Sequence, residues 1–468
     1  MRKVLLVSYS FPPQYDVSAR RAAKLCKYLP AAGWSPVVLT KDWAGAIAAE
    51  DRRAYAITLQ PQSLEALRAT KIVHAPYRTH DGPLRRWHER LGGVYGSSSA
   101  AATNGEHHGW SPRTLARRAL SLFSPVFGDF PDAFRGWIDG AVRVGVEVVQ
   151  REPIDAICSL CPPATAHVVA SEIARATGVP WVAQFDDLFS FHLERQSRAA
   201  WRPYADAMHK RWMSRASIAG AITPAMLDYV KRTYRLDGGV VMVGFDPDES
   251  PVVAREPHEG LHLAYTGSVY PGDQRPELFF EALDRVLRDP ADDPPPITVV
   301  FAGTGRDAEL KAMLSRFPFA ARACVFVDRL EPAKALELQR AADALVLLNC
   351  TRPSADEGTL SFPAKSFEYL NAGRPILAIP RDPGGWGDRL LETTHAGVTV
   401  DTPADASRVL SDWLVAQRTT GRLPYAGDPD EIARYGQPRQ AAALADLLDR
   451  AVAMQPRRAS NSTAQPLR

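Results

Sequence analysis

The sequence predicts an α/β protein made of two parallel-sheet domains in succession. Three observations carry that expectation. Short β-branched apolar runs alternate with segments of helical period through most of the chain. A proline- and charge-rich stretch, Asp248 to Gly260, interrupts the alternation, which restarts at Leu261. A length of 468 residues is enough for two separate cores. The expected organisation is a first domain over residues 1–250, a second over 251–436, a final helix over 437–455 and a disordered tail over 456–468.

Composition narrows the class of function. Hydrophobic residues at 46% and charged residues at 23% are ordinary for a globular protein with a packed core. A net charge of +3 over this length argues against nucleic acid as the main partner. Five scattered cysteines, an odd number, fit a reducing compartment. Cys158 and Cys161 form a C-x-x-C with no second pair or histidine cluster to complete a zinc site. They read as small residues at a strand end, with a redox pair as the alternative. The opening apolar run is too short for a signal peptide, and no apolar stretch is long enough to span a bilayer. The expectation is a cytoplasmic protein whose membrane contact, if any, is peripheral.

In chain order, Lys3 to Ser8 reads as the first strand of a parallel sheet. It runs into Phe11-Pro12-Pro13, a loop because the residue before a proline is turned away from helix. Ser18 to Leu29 is a helix whose apolar face is Ala19, Ala22, Ala23, Leu25, Cys26 and Leu29. Gly33-Trp34 turns the chain, and Pro36 to Thr40 completes a strand–helix–strand unit. No G-x-G-x-x-G follows the first strand, so a nucleotide is not expected at this end. Gly96 to Gly109 is small, polar and turn-rich and reads as a mobile loop in which the paired His107 and His108 are solvated, with metal binding as the alternative. Next, Arg113, Arg117 and Arg118 alternate with Leu115, Leu120, Leu122 and Phe123 in a short basic amphipathic helix. It is either packed on the domain or resting on anionic lipid. A helix follows Trp137 through Val149, then a strand over Ile154 to Leu160 and a helix over Ala164 to Ala176 that closes at Gly178. The strand Pro180 to Phe185 delivers Asp186 and Asp187 to a loop at its carboxyl end, where ligands sit in open α/β sheets. The alternative there is a helix cap and a surface charge. Helix Trp201 to Ala216, strand Ala219 to Thr223, helix Pro224 to Tyr234 and strand Val240 to Val243 finish the domain.

The second domain opens with strand Leu261 to Thr266 and the loop Gly267-Ser268, followed by helix Glu277 to Leu287. Strand Ile297 to Ala302 ends in Gly303-Thr304-Gly305, glycines that allow close backbone approach. Helix Asp307 to Arg316, strand Cys324 to Val327, helix Glu331 to Ala342 and strand Ala344 to Leu348 follow. The most informative stretch is Glu357 to Ile379. Ser361 can cap a helix whose first turn takes Pro363, Gly373 stops it, and Ile376 to Ile379 is a buried strand. Free N–H groups at such a start attract phosphate, Lys365 adds a point charge, and Glu368 one turn on can accept from a vicinal diol. Taken alone, a capped surface helix explains the same residues. Gly397 to Val400 is a further strand, with helices at Asp405 to Gln417 and Gln437 to Met454.

The stretch Pro363, Lys365, Glu368, Tyr369, Leu370, Ala372, Gly373, Pro375, Ile376, Leu377, Ala378 resembles the donor-binding helix of GT-B glycosyltransferases, in particular glycosyltransferase family four. The resemblance extends, with weaker motifs such as Leu263 to Gly267, over most of the chain. It implies two Rossmann-like domains facing each other across a cleft, the first holding the acceptor and the second a nucleotide-diphosphate sugar, UDP- or GDP-linked. It also implies a final helix that crosses back onto the first domain. On this resemblance Glu368 meets the donor ribose and Lys365 the diphosphate. Gly267, Ser268, Gly303, Gly305, Leu330, Leu360, Ser361 and Phe362 line the donor, and Asp187 and Arg275 join Lys365 as candidate catalytic residues. The chain departs from the family at Leu360, where an earlier Glu often stands, at Asp186, at Val243, and in its first loop, where Tyr15, Asp16 and Val17 replace glycines.

The expected activity is therefore transfer of a sugar from a nucleotide-diphosphate sugar to a saccharide, lipid-linked or small-molecule acceptor in glycan or polysaccharide biosynthesis. The outcome implied is retention, and without a convincing D-x-D motif no metal is required. The rivals are a nucleotide-sugar epimerase of the same architecture and a degenerate, non-catalytic binding protein.

Overall fold

The computed structural model describes residues 1–12, 14, 16–42, 67–78, 130–188, 202–249, 251, 253, 258–270, 272–288, 297–350, 363–382 and 385–455. Among them, two compact units divide the chain: one holds the residues up to Val241 and those from Ala442 onward, the other Met242–Ala441.

The first unit is a seven-stranded parallel sheet in the order β3-β2-β1-β4-β5-β6-β7. Its strands are β1 (Arg2–Val7), β2 (Trp34–Lys41), β3 (Lys71–Ala75), β4 (Ala156–Cys161), β5 (Trp181–Phe185), β6 (Ile218–Ala221) and β7 (Gly238–Val240). Its helices are α1 (Val17–Tyr28), α2 (Ile138–Arg151), α3 (Ala164–Thr177), α4 (Arg202–Met213) and α5 (Pro224–Tyr234). The central strands are covered on both faces, which is why β1 is apolar from Val4 to Val7 and the fully buried β4 is interrupted only by Ser159. Side-chain caps start α1 and α5: Asp16 accepts from Ala19 N and Thr223 from Met226 N, with Pro224 at the first helical position. Gly178 ends α3 in the left-handed region, at φ 68°.

Two strands differ from the sequence expectation. β3 is a half-exposed strand at the sheet edge whose mixed pattern carries no clean alternation. The last strand is Gly238–Val240, not Val240 to Val243. β-Propensity favours the valines, yet close packing selects the glycines. A Cβ on Gly238 would lie 2.2 Å from the Ala219 carbonyl oxygen, and one on Gly239 3.1 Å from Leu447.

The second unit is a six-stranded parallel sheet in the order β10-β9-β8-β11-β12-β13. Its elements run β8 (Leu261–Thr266), α6 (Pro276–Val286), β9 (Ile297–Ala302), α7 (Asp307–Leu314), α8 (Pro318–Ala323), β10 (Cys324–Val327) and α9 (Pro332–Ala341). They continue as β11 (Ala344–Leu348), α10 (Lys365–Ala372), β12 (Ile376–Ile379), α11 (Trp386–Thr394), β13 (Gly397–Thr399), α12 (Pro403–Thr420), α13 (Pro429–Ala433) and α14 (Gln437–Ala453). One face of the sheet packs Tyr265, Phe279, Phe280 and Phe301 against Leu410 and Trp413, and the other packs Leu345, Phe367, Tyr369 and Leu390. α7 stops earlier than expected because Pro318 restarts the chain as α8, after Phe317 at φ −129°. α11, nine residues long, has no counterpart in the sequence expectation because so short a segment spans only about two to three helical turns.

The start of α10 is also corrected. Lys365, not Pro363, is its first helical residue, and Ala364 precedes it with no side-chain cap. Gly373 closes it at φ 65°, as expected. α14 begins in the second unit, where Gln437 N donates to Phe245 O over 2.7 Å. From Ala442 it belongs to the first unit, whose core includes Leu444, Leu447, Leu448 and Ala451. Among the described residues no helix is long and apolar enough to cross a membrane.

Candidate functional site

In the second sheet the chain builds outward from β8 through β9 to β10, then returns to place β11 on the other side of β8. The carboxyl ends of β8 and β11 are thus a topological switch point, the position where open α/β sheets leave a crevice. Backbone bonds knit the loops here: Gly267 N donates to Ala302 O (2.8 Å), Val269 N to Thr304 O (3.0 Å) and Gly303 N to Val327 O (3.0 Å).

Lys365 enters this edge from α10. Its Nζ lies 3.9 Å from the centre of the Tyr265 ring and donates to Tyr265 Oη (2.6 Å) and Ser268 O (3.1 Å). The Tyr265 hydroxyl itself donates to Ser268 O (2.8 Å). Gly267 holds φ 88°, and a Cβ there would meet Lys365 Cε and Nζ at 3.4 Å, so glycine serves both the turn and the approach of the lysine. Burial lowers the Lys365 ammonium from the usual lysine range to about 7, against the opposing pull of Glu368 and then Cys350. The helix amides contribute less than the sequence suggests: Ser366 N is spent on Pro363 O (3.0 Å) and Phe367 N on Ala364 O (3.3 Å). Attraction for an anion therefore rests chiefly on the lysine.

Glu368 stands half-buried one turn further along. The buried Gln339 Nε2 reaches its Oε2 at 3.4 Å and donates to Thr266 Oγ1 at 2.9 Å. Thr266 N in turn donates to the Oη of the fully buried Tyr369 (2.9 Å). Lys365 and Glu368 are thereby both tied to the end of β8.

The remaining expected residues are placed as follows. Gly303 (φ 68°) and Gly305 (φ 67°) shape the loop after β9, and Leu330 is half-buried in the segment between β10 and α9. Arg275 precedes α6, is exposed, and its Nε pairs with Glu277 at 3.0 Å; no described contact joins it to Lys365. Leu360, Ser361 and Phe362 lie outside the described residues, as do His107, His108 and the basic segment from Arg113 to Phe123. Asp187 belongs to the first unit, at the carboxyl end of β5, where its Oδ1 accepts from Leu188 N (3.0 Å). Its neighbour Asp186 is structural: it forms an ion pair with Arg21 (2.8 Å) and accepts from Gln184 Nε2 (2.9 Å), and burial raises its carboxyl in spite of Arg21. The two adjacent aspartates therefore make separate contacts. Cys158 and Cys161 are buried free thiols, the former pushed up by burial to about 12, so neither is a reactive thiolate.

Two residues of the site escaped the sequence. Tyr265 reads as one more apolar position of a strand, because its hydroxyl meets a lysine 100 residues away. Gln339 did leave a signal: it shares the buried face of α9 with Leu336, three residues earlier, an unusual position for an amide.

No family model and no curated protein sequence matches the chain. Solved structures do. HepE from Anabaena, in complex with UDP and glucose, superposes at TM-score 0.54 with 13% identity, covering 96% of this chain and 100% of that one. Sucrose-phosphate synthase from Thermosynechococcus elongatus gives 0.51 at 14% identity over 97% of each chain. The lipopolysaccharide outer core galactosyltransferase WaaB, in apo form, gives 0.52 at 11% identity over 96% of this chain and 99% of that one. The similarity is one of fold: the chain has the GT-B architecture of two parallel-sheet α/β units.

Proposed function

We propose that the protein is a glycosyltransferase that takes its sugar from a nucleotide-diphosphate donor, UDP- or GDP-linked, held by the second unit. The observation that carries this is the Lys365 amino group seated on Tyr265 and Ser268 at the switch point of that sheet. The solved complexes of HepE with UDP and with UDP-glucose support the donor class. Lys365 faces the diphosphate and Glu368 the ribose diol. Departure of a nucleoside diphosphate leaves growing negative charge on its β-phosphate, and a cation already in place stabilises that charge more in the transition state than in the ground state. Transfer then needs no metal, and the outcome is retention at the sugar carbon. The first unit holds the acceptor, a saccharide that is lipid-linked or a small molecule, with Asp187 at its edge, and Arg275 of the second unit is a supporting contact to the donor phosphates. A lipid-linked acceptor would bring the protein to the inner face of a membrane.

The test is incubation with a panel of UDP- and GDP-sugars, read as nucleotide release with and without saccharide acceptors. Lys365→Ala is expected to lower kcat more than it changes KM, and Glu368→Ala to weaken nucleotide binding in a folded protein by roughly 1.5–3 kcal/mol, the range for a lost charge-assisted hydrogen bond. Absence of nucleotide release with every donor, together with unchanged affinity in Glu368→Ala, would refute the assignment.

A further inference from the structure

We infer that Gln339 is the positioning residue for Glu368, so that the amide–carboxylate pair, not the carboxylate alone, reads the ribose of the nucleotide. The inference rests on the donor reading above and deepens it. Gln339 is completely buried on the inner face of α9. An amide in such a place is unfavourable unless its polar atoms are bonded. Here the NH₂ group supplies two bonds in two directions, to Thr266 Oγ1 (2.9 Å) and to Glu368 Oε2 (3.4 Å). The orientation follows from chemistry: an ionised carboxylate only accepts, so the amide must turn its nitrogen toward Glu368. The cost is visible on its other side, where the buried Oε1 takes no hydrogen bond among the described residues. An amide kept purely for packing would have no reason to occupy this position, since Met or Leu fills the same volume without an orphaned acceptor.

The second bond explains the first. Thr266 is the last residue of β8, and its N–H is held by the buried Tyr369 Oη (2.9 Å). Gln339 therefore anchors the Glu368 carboxylate to the strand whose following loop carries the Ser268 carbonyl beside Lys365. A carboxylate offers about four acceptor sites on two oxygens, so a bond from behind is compatible with a bidentate grip on a cis-diol in front. A glutamate held in this way loses less freedom when the diol arrives.

The test is calorimetric titration of the full chain with UDP and GDP and with their 2′,3′-dideoxy counterparts. The proteins compared are wild type, Gln339→Met, Glu368→Ala and the double variant. Wild type is expected to prefer the ribonucleotide. Gln339→Met should lose about tenfold toward it and nothing toward the dideoxy compound, the scale of one hydrogen bond to a charged group. In the Glu368→Ala background the same substitution should add no further loss, because its effect passes through Glu368. If Gln339→Met does not fold, Gln339→Asn, which keeps a buried amide but is one methylene shorter and withdraws the donor from Glu368, should show the same selective loss. Equal weakening toward both nucleotides, or an additive loss in the double variant, overturns the positioning role alone. A wild type that binds ribo- and dideoxynucleotides equally overturns the ribose role of Glu368 with it. A wild type that binds neither UDP nor GDP overturns the donor reading as well.

Discussion

Lys365 keeps an amino group where burial disfavours its charge, beside a tyrosine ring and a carbonyl that still accept its protons. With a pKa near 7, the free protein carries this lysine mostly neutral at pH 8 to 9. A bound diphosphate favours the charged form and moves the pKa back upward. The sign of the linkage follows: binding at pH 8 to 9 takes up a proton, and at pH 6, where the ammonium is already formed, it does not. The phosphate's own second ionisation lies near 6 and is complete in the upper range. Titrations with UDP in buffers of different ionisation enthalpy should thus show uptake approaching one proton at pH 8.5, with affinity falling as pH rises. Lys365→Met should abolish the uptake. Lys365→Arg, charged throughout, should bind without it. Uptake that survives in Lys365→Met would place the titrating group elsewhere.

At the scale of elements, the second unit shows what a sequence can and cannot announce. Ala344–Leu348 and Ile376–Ile379 are legible to the residue because a strand buried on both faces must be continuously apolar. Lys365 and Glu368 are legible because one helical turn brings both to one short helix. Tyr265 and Gln339 are hidden because their partners, Lys365 of α10 and Thr266 of β8, lie far away along the chain. β7 was misplaced because local propensity yields to close approach. That gives a direct comparison. A Cβ at Gly238 meets backbone, Ala219 O at 2.2 Å, whereas one at Gly239 meets first the Leu447 side chain, which can rotate away. Gly238→Ala should destabilise the protein in chemical denaturation by about 1–3 kcal/mol, the usual cost of overpacking, and Gly239→Ala by less. The reverse order would mean that β7 is not pinned to β6 as described.

At the scale of the molecule, the first unit is not complete until the chain has passed through the second. Leu444, Leu447 and Leu448 are buried in its core, and Asp449 accepts from Trp34 Nε1 (3.0 Å) and Arg2 Nη1 (2.6 Å). Each buried leucine stabilises by about 1.5–3 kcal/mol, so the three together contribute roughly 5–9 kcal/mol. That is as large as the whole stability of an ordinary domain. Truncation after Ala441 should therefore unfold the first unit while leaving the strands, Lys365 and Glu368 of the second in place. Scanning calorimetry in the presence and absence of UDP separates the two units, because a ligand raises only the transition of the unit that binds it. The truncated chain should keep the UDP-sensitive transition and lose the other, and sugar transfer should vanish while nucleotide binding persists. A truncated chain that retains both transitions would show that the strands of the first unit hold together without the last helix.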